Sequence, residues 1–187
     1  MTYAWYYMDV HYINLTRRPD RKDQMERELQ AWGLTAQRYE AIDMPSKPEL
    51  GCTLSHIGAL SRSTSDYCLV FEDDFECVQD PHPMLKYLTT TFHDWDVVML
   101  SSNIREAEPF NDRLVRVRYA WTASGYLIKK EYIPTLIACF KSSTTEPLDV
   151  LWRSLQQRDR WYACVPKIGK QRASFSDIQK YFVDYGV

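Results

Sequence analysis

The sequence predicts an α/β fold whose mostly parallel central sheet is covered by helices, in three layers. Two observations support this prediction. Short runs of apolar, β-branched and aromatic residues alternate along the chain with longer segments whose apolar residues recur at helical spacing. One of the short runs, Leu69-Val70-Phe71, is apolar throughout, which is typical of a strand buried on both faces of a sheet.

The individual elements follow from the same periodicities. Strands are predicted at residues 5–15, 36–41, 69–71, 95–100, 113–119 and 161–165. Helices are predicted at residues 50–60, 81–92, 133–140, 147–157 and 177–182, and residues 167–176 form a polar, basic loop. An earlier helix carries Met25, Leu29 and Trp32 at helical spacing, and Gly33 is a suitable residue to follow its C-terminus.

Three acidic residues, Glu72, Asp73 and Asp74, directly follow the apolar run at 69–71. Because a buried carboxylate without a partner is costly, these acids should lie at or beyond the carboxyl end of the strand. Ligands bind at that edge of open α/β sheets, and Mg²⁺ and Mn²⁺ prefer oxygen ligands. The pattern therefore favours a metal that holds a diphosphate. A strand that merely exits into an acidic loop explains the same residues.

An aspartyl-phosphate phosphohydrolase is excluded by the spacing of these acids. That class requires Asp-x-Asp after such a strand, whereas this chain has Glu72-x-Asp74 and Asp74-x-Glu76.

Length and composition set further limits. The chain has 187 residues, which suits a single domain spanning residues 1–187. Its content of 45% hydrophobic and 26% charged residues is typical of a globular chain. A net charge of −2 argues against a general nucleic-acid partner. The sequence also predicts no transmembrane segment.

The cysteines and the first residues indicate a cellular compartment. The five cysteines cannot all pair with one another, and they form no CxxC motif, so we expect reduced thiols. Residues 1–15 lack the basic region and the unbroken apolar run of a signal peptide. Together these features predict a cytoplasmic protein.

A basic loop joins the first strand to the first helix and carries Arg17, Arg18 and Arg21. Such a loop at a helix N-terminus is a natural anion site. The same arginines also suit a solvated surface, and this interpretation fits Arg18 best.

Short motifs occur in one order over most of the chain. They are Ile13-Asn14-Leu15-x-Arg17-Arg18-Pro19-Asp20-Arg21, Ala41-Ile42-Asp43, Gly51-Cys52-x-Leu54-Ser55-His56, Glu72-Asp73-Asp74, Trp95-Asp96, Gly125-Tyr126-Leu127, Asp149, and Pro166 with Gln171 and Ser176-Asp177-Ile178. In this order they resemble the family 25 glycosyltransferases, which include bacterial lipopolysaccharide galactosyltransferases and animal collagen galactosyltransferases. The resemblance implies a GT-A fold, a UDP-sugar donor, commonly UDP-galactose, a Mn²⁺ (or Mg²⁺) cofactor and inversion at the sugar.

The resemblance also implies roles for particular residues. Glu72-Asp73-Asp74 stands in the place of the DxD-type motif, with Asp74 as the best metal ligand and Glu72 on the same side of the strand as the second ligand. Gln171 and Asp177 would close the site, with Asp177 as a further metal contact. The residues that would contact the donor are Asn14, Arg17, Asp43, Ser55, His56, Glu72, Asp73 and Gln171.

The resemblance makes Asp149 the catalytic base that approaches the acceptor hydroxyl. Asp149 lies in the first turn of the helix predicted at 147–157, where the helix dipole favours the ionised form. An ordinary acidic residue at a helix N-terminus explains its position equally well. Glu146, on the preceding loop, is the rival base.

The chain departs from many GT-A enzymes, which take a third metal ligand from a histidine near the C-terminus. The four histidines here are His11, His56, His82 and His93, so Gln171, Asp177 or water must substitute.

Two other functions compete with the transferase. One is a catalytically silent member of the fold that binds a nucleotide sugar or a partner protein. The other is a metal-dependent nucleotidyltransferase, which is weakened because no Gly-rich Lys/Arg loop follows the first strand. The acceptor, whether glycan, lipid-linked sugar or peptide, is not encoded in any local motif.

Overall fold

The structure is a computed structural model that describes residues 8–176 and 181–184. Its strands are β1 (Met8–Asn14), β2 (Gln37–Glu40), β3 (Tyr67–Glu72), β4 (Phe75–Cys77), β5 (Val97–Pro109), β6 (Leu114–Lys129), β7 (Trp161–Cys164), β8 (Gly169–Gln171), β9 (Ser174–Phe175) and β10 (Phe182–Val183). Its α-helices are α1 (Pro19–Ala31), α2 (Pro48–Leu60), α3 (His82–Thr90), α4 (Ile133–Phe140), α5 (Leu148–Leu151) and α6 (Arg153–Arg158).

A six-stranded sheet in the order β2-β1-β3-β6-β5-β7 forms the centre of the molecule. Strand β1 runs parallel to β2 and β3, and β5 runs parallel to β7. Strand β6 is antiparallel to β3, β5 and β7, so it alone opposes the other five strands of this sheet. The prediction of a mostly parallel sheet is confirmed.

Helices cover both faces of this sheet, which confirms the three-layer prediction. On one face, Met25 of α1 and Leu85 of α3 pack in one buried cluster with Leu69 of β3. On the other face, Val70 of β3 packs in a second cluster with residues of α2, α4, α5 and α6. Alternation along β3 sends successive apolar side chains to opposite layers, and this explains why its sequence is apolar without a break.

The two longest strands, β5 and β6, form a hairpin that extends well beyond the predicted strands. Their pairing contains several register shifts, for example between Met99 and Ser101 and between Ile104 and Glu106. Residues 103–109 are polar and largely exposed, so no apolar periodicity marks them as strand. Cross-strand pairing extends this hairpin, and a local pattern does not reveal such pairing.

The C-terminal part differs from its prediction. Strand β8 pairs with β4 and β9 pairs with β10, although residues 167–176 were predicted as a loop. The ring of Phe75 lies against Gly169 where a Cβ would stand, so this pairing requires the glycine. Of the helix predicted at 177–182, Phe182 is in a strand, and residues 177–180 lie outside the described part of the chain.

Other predicted elements need smaller corrections. The helix predicted at 147–157 is two short helices that meet at Trp152. Gly33 follows α1 with φ of 64°, the left-handed conformation expected after a helix. All five cysteines are free thiols, as predicted. Among the described residues, no helix combines the length and the apolar character of a membrane span.

Candidate functional site

A cleft of about 670 Å³ lies at the carboxyl ends of β1, β2 and β3. The residues that follow these three strands supply much of its wall, and further lining comes from α2, the β5–β6 hairpin, the start of α5 and the C-terminal strands. The sequence-predicted site residues that line it are Arg17, Asp43, Ser55, Glu72, Asp73, Asp74, Asp149 and Gln171. This is the edge of the sheet at which open α/β folds bind their ligands.

Asp73 is held by hydrogen bonds on both of its carboxylate oxygens. The parallel register pairs Ile13 with Glu72, and this places Asn14 beside Asp73. Asn14 Nδ2 donates to Asp73 Oδ2 over 2.7 Å, and Arg21 Nη1 donates to Asp73 Oδ1 over 3.0 Å. Burial nevertheless raises the pKa of Asp73. Asn14 therefore acts on the cleft through Asp73, since it does not itself line the wall.

Asp74 is buried, and one of its carboxylate oxygens, Oδ1, is suited to bind a cation. Its Oδ2 accepts hydrogen bonds from Gln171 Nε2 over 3.0 Å and from Arg21 Nη1 over 3.3 Å. Its Oδ1 has no hydrogen-bond donor among the described residues. Burial, together with the charges of Glu72 and Asp73, raises the pKa of Asp74 to about 7. A divalent cation beside Oδ1 would supply the missing partner and favour the ionised form, so this residue fits the predicted metal.

Gln171 reaches Asp74 because of the β4–β8 pairing. Phe75, the residue after Asp74, pairs with Gln171 across the two strands, and Arg172 N donates to the Asp74 carbonyl over 2.7 Å. The structure thus brings Gln171, which was predicted to close the site, to the acidic turn. The other predicted closing residue, Asp177, lies outside the described residues.

Arg21 is a site residue that sequence reasoning placed in a basic, anion-binding loop but did not connect with the acidic turn. Its side chain is only 11% exposed, and its guanidinium contacts both Asp73 and Asp74. Its Nη2 also donates to Ser174 Oγ over 2.6 Å. The run of arginines was the available signal, but Arg21 lies in α1, and the local sequence does not distinguish a buried arginine from a solvated one. Arg21 places a permanent positive charge against two buried carboxylates.

Glu72 is oriented by two residues of α2. His56 Nε2 lies 3.1 Å from Glu72 Oε1, and Cys52 Sγ lies 3.6 Å from the same oxygen. Burial raises the pKa of Glu72, but these hydrogen bonds and the charge of Arg21 outweigh it, and the pKa is lowered overall. His56 is fully buried and contacts Tyr126 Oη through Nδ1 over 2.9 Å. It therefore reaches the cleft only through Glu72.

Ser55 lines the cleft but uses its hydroxyl group within the protein. Its Oγ donates to the Gly51 carbonyl over 2.6 Å and accepts from Ile42 N over 2.8 Å. It thereby fixes the segment that carries Asp43 to helix α2.

Arg17 and Asp43 form an ion pair at the cleft. Arg17 Nε lies 2.8 Å from Asp43 Oδ2, and the side chains are 44% and 41% exposed. Exposed pairs of this kind are worth at most about 1 kcal/mol, so a bound ligand can replace either partner at little cost.

Asp149 lies at the start of α5 and lines the cleft. Its Oδ2 accepts a hydrogen bond from Thr122 N over 3.3 Å. Thr122 has φ of 79°, a left-handed conformation that is strained for a threonine and is found at functional sites. This strained residue lies in the middle of β6 and directs its N–H towards Asp149.

The backbone N–H groups of Asp149 and Val150 at the start of α5 lower the pKa of Asp149, as predicted, but they do not decide it. Burial raises the pKa of Asp149, and the charge of Glu72 raises it further. Helix α5 has only four residues, so its dipole is short, and loss of solvent around the carboxylate dominates. A raised pKa makes the carboxylate a stronger base. The rival Glu146 is exposed and is not part of the cleft wall.

Trp121 and Arg105 also line the cleft and were not predicted as site residues. The indole of Trp121 is 38% exposed, and the guanidinium of Arg105 lies over its ring at 4.9 Å from the centroid. Both come from the β5–β6 hairpin, whose extent the local sequence did not reveal.

No protein-family model matches this chain. Among solved structures it is similar to a glycosyltransferase involved in the glycosylation of the major capsid of PBCV-1, with a TM-score of 0.57 and 6% identity over 92% of this chain and 96% of that chain. It is similar to A197 from STIV, with a TM-score of 0.52 and 12% identity over 94% and 92% of the two chains. It is also similar to a putative glucose-1-phosphate thymidylyltransferase from Bacillus anthracis, with a TM-score of 0.51 and 10% identity over 83% and 66%.

Likeness at these identities shows the fold. The chain has the GT-A-type α/β fold that glycosyltransferases and nucleotidyltransferases share, as the sequence predicted.

Proposed function

We propose that this protein is an inverting glycosyltransferase similar to family 25. In this proposal it moves a hexose, galactose or glucose, from a UDP-sugar to an acceptor hydroxyl. The observation that carries the proposal is the cleft itself, because its lining combines Asp74, with its unpartnered buried Oδ1, and Asp149, a carboxylate of raised pKa. Sugar transfer needs both a cation site for the diphosphate and a base for the acceptor.

Asp74 and Glu72 would hold the metal, Mn²⁺ or Mg²⁺. Asp74 offers Oδ1, and the hydrogen bonds described for Glu72 all involve its Oε1. When bound, the metal would neutralise the charge that develops on the departing UDP. Gln171 and Arg21 hold the other oxygen of Asp74 and so keep the carboxylate oriented.

The donor would lie along the strand ends. Arg17 carries a positive charge at the cleft and can exchange Asp43 for a phosphate oxygen, because the existing pair is exposed. Asp43 is then free to accept hydrogen bonds from the ribose hydroxyls. These two residues come from loops after β1 and β2, which the parallel pairing of the strands brings together.

Asp149 would accept the proton of the acceptor hydroxyl. Inversion requires one carboxylate that removes this proton while the acceptor oxygen attacks the anomeric carbon from the face opposite UDP. Burial supports the role, since it raises the pKa of Asp149 towards the pH at which a base is most effective. Trp121 also lines the cleft, and its exposed indole offers a flat apolar surface to an acceptor sugar.

A nucleotidyltransferase is the second candidate, because the fold likeness includes a thymidylyltransferase. The two reactions give different products. We would incubate the protein with Mn²⁺ and UDP-galactose or UDP-glucose, with glycan, lipid-linked and peptide acceptors, and in parallel with UTP and a sugar 1-phosphate.

Release of UDP that depends on an acceptor supports the transferase. Release of pyrophosphate in the UTP reaction would instead identify the protein as a nucleotidyltransferase. Binding of UDP with neither product would leave a catalytically silent nucleotide-sugar-binding protein. A cytoplasmic location remains our prediction, and the five free thiols support it.

A further inference from the structure

Cys52, His56 and Glu72 form a compact group of three different metal-binding side chains. Cys52 and His56 lie one turn apart on α2, and Glu72 is the last residue of β3. Glu72 Oε1 is 3.6 Å from Cys52 Sγ and 3.1 Å from His56 Nε2. All three ligand atoms lie within 4.8 Å of one another.

The two distances to Glu72 Oε1 are close to those of a tetrahedral zinc site. Zinc bonds of about 2.0 Å to nitrogen and oxygen and about 2.3 Å to sulfur place neighbouring ligand atoms roughly 3.3–3.5 Å apart. The two distances to Oε1 fall close to this range, so small shifts would seat the cation. Cys52 and Glu72 both line the cleft, which gives a fourth ligand such as water access to the ion.

We propose that Cys52, His56 and Glu72 form a second metal site, which takes a thiophilic divalent cation such as Zn²⁺. The thiolate and imidazole ligands distinguish it from the oxygen-only site proposed at Asp74, because soft ligands favour Zn²⁺ over Mg²⁺ and Mn²⁺. Tyr126 Oη, 2.9 Å from His56 Nδ1, supplies the outer hydrogen bond that orients a metal-bound imidazole. The negative charges of Glu72, Asp74 and Asp149 all act on Cys52 and favour a cation there.

Binding must displace protons. Burial, reinforced by the charge of Glu72, raises the pKa of Cys52, so the thiol is protonated without a cation. When Zn²⁺ binds, the thiol is deprotonated and its proton is released to the solvent. His56 must present an unprotonated Nε2 to the cation, the same nitrogen that faces Glu72 Oε1 in the metal-free protein. The other ring nitrogen, Nδ1, can then carry a proton and donate it to Tyr126 Oη, and the loss of the thiol proton should make Zn²⁺ binding weaker at lower pH.

The experiment uses the full chain without nucleotide, so it does not depend on the proposed transferase activity. Calorimetric titration with Zn²⁺ in buffers of different ionisation enthalpy gives affinity, stoichiometry and proton release. Titration with Co²⁺ reports a thiolate ligand through its charge-transfer absorption. We would compare the wild type with Cys52→Ser and with Cys77→Ser, whose half-buried thiol donates to the carbonyls of Gln79 and Ile168.

We expect one tight Zn²⁺ site per chain, release of protons on binding and a thiolate–Co²⁺ absorption band. Loss of a residue that only hydrogen-bonds to a metal ligand costs about 10- to 100-fold in metal affinity. Because Cys52 is itself a proposed ligand, Cys52→Ser should weaken Zn²⁺ binding at least tenfold and abolish the absorption band. Cys77→Ser should change neither. Equal affinities in both variants, or a Co²⁺ complex without the band, would overturn the proposal. Thermal unfolding of the metal-free variants shows whether each retains the fold.

Discussion

Replacement of Asp149 by asparagine tests the proposed catalytic base. The substitution preserves the shape of the side chain, and its Oδ1 can still accept the hydrogen bond from Thr122 N–H, so we expect the fold to survive. What disappears is the ability to take a proton. General-base catalysis contributes about 10²–10⁴-fold in rate, which corresponds to about 2.7–5.4 kcal/mol of activation free energy. We therefore expect kcat to fall by a factor in that range.

The pH dependence of the rate adds a second test of the same residue. Asp149 must be ionised to act, so the rate should rise with pH through its pKa. Burial raises that pKa, and the rise should therefore occur above the ordinary range of an aspartate. Asp74 has a pKa of about 7 without metal, so the profile is measured at saturating Mn²⁺, which keeps Asp74 ionised. The acid limb should be absent from the Asp149→Asn variant.

The assay is acceptor-dependent UDP release, with calorimetric titration of UDP in the presence of Mn²⁺ on the same samples. Asp149→Asn should keep nearly normal UDP affinity, while Glu146→Gln, which changes an exposed neighbour outside the cleft, should keep nearly normal turnover. The reasoning fails if Asp149→Asn retains near-normal kcat, or if it loses UDP binding before it loses turnover.

Three further predictions concern the acidic turn and its arginine. Asp74→Asn should weaken the Mn²⁺-dependent part of UDP binding, because a hard cation loses an anionic ligand; unchanged metal dependence in calorimetry would move the metal elsewhere. Without metal, the raised pKa of Asp74 should make the wild type lose stability as pH rises from about 4 to about 7, because ionisation is costlier in the folded state. Urea unfolding at several pH values should show this loss in the wild type. If the unfolding free energy of Asp74→Asn falls equally steeply with pH, another group is responsible. Arg21→Ala should cost about 3–5 kcal/mol of unfolding free energy, because it leaves two buried carboxylates without their cation. Arg18→Ala, which removes a more exposed ion pair with Asp20, should cost at most about 1 kcal/mol. Equal losses of unfolding free energy in the two variants would contradict the role of Arg21 as the buried partner of Asp73 and Asp74.

Local patterns in the sequence determined the layered α/β fold and the position of the acidic turn. The uninterrupted apolar run of β3 and the acids after it allow only a strand buried on both faces with a polar carboxyl end. Helices α1 and α2 were predicted because the periodic spacing of their apolar residues is a local pattern, which spans only a few turns of sequence. Asp43, Glu72, Asp73, Asp74 and Asp149 were found for the same reason, since they lie at the end of a predicted strand or in the first turn of a predicted helix, whereas Glu49, which also lines the cleft, was not.

Only the tertiary structure decided what those residues contact and how they ionise. Arg21 meets Asp73 across 52 positions of sequence, and Gln171 meets Asp74 across 97. The pKa of Asp149 depends on burial and on the charge of Glu72, whereas the sequence suggested control by a helix dipole. Burial and electrostatic coupling depend on the whole surroundings of a group, and strand pairing sets those surroundings here. The sequence therefore determined where the polar groups leave the sheet, and the fold determined their charges and partners.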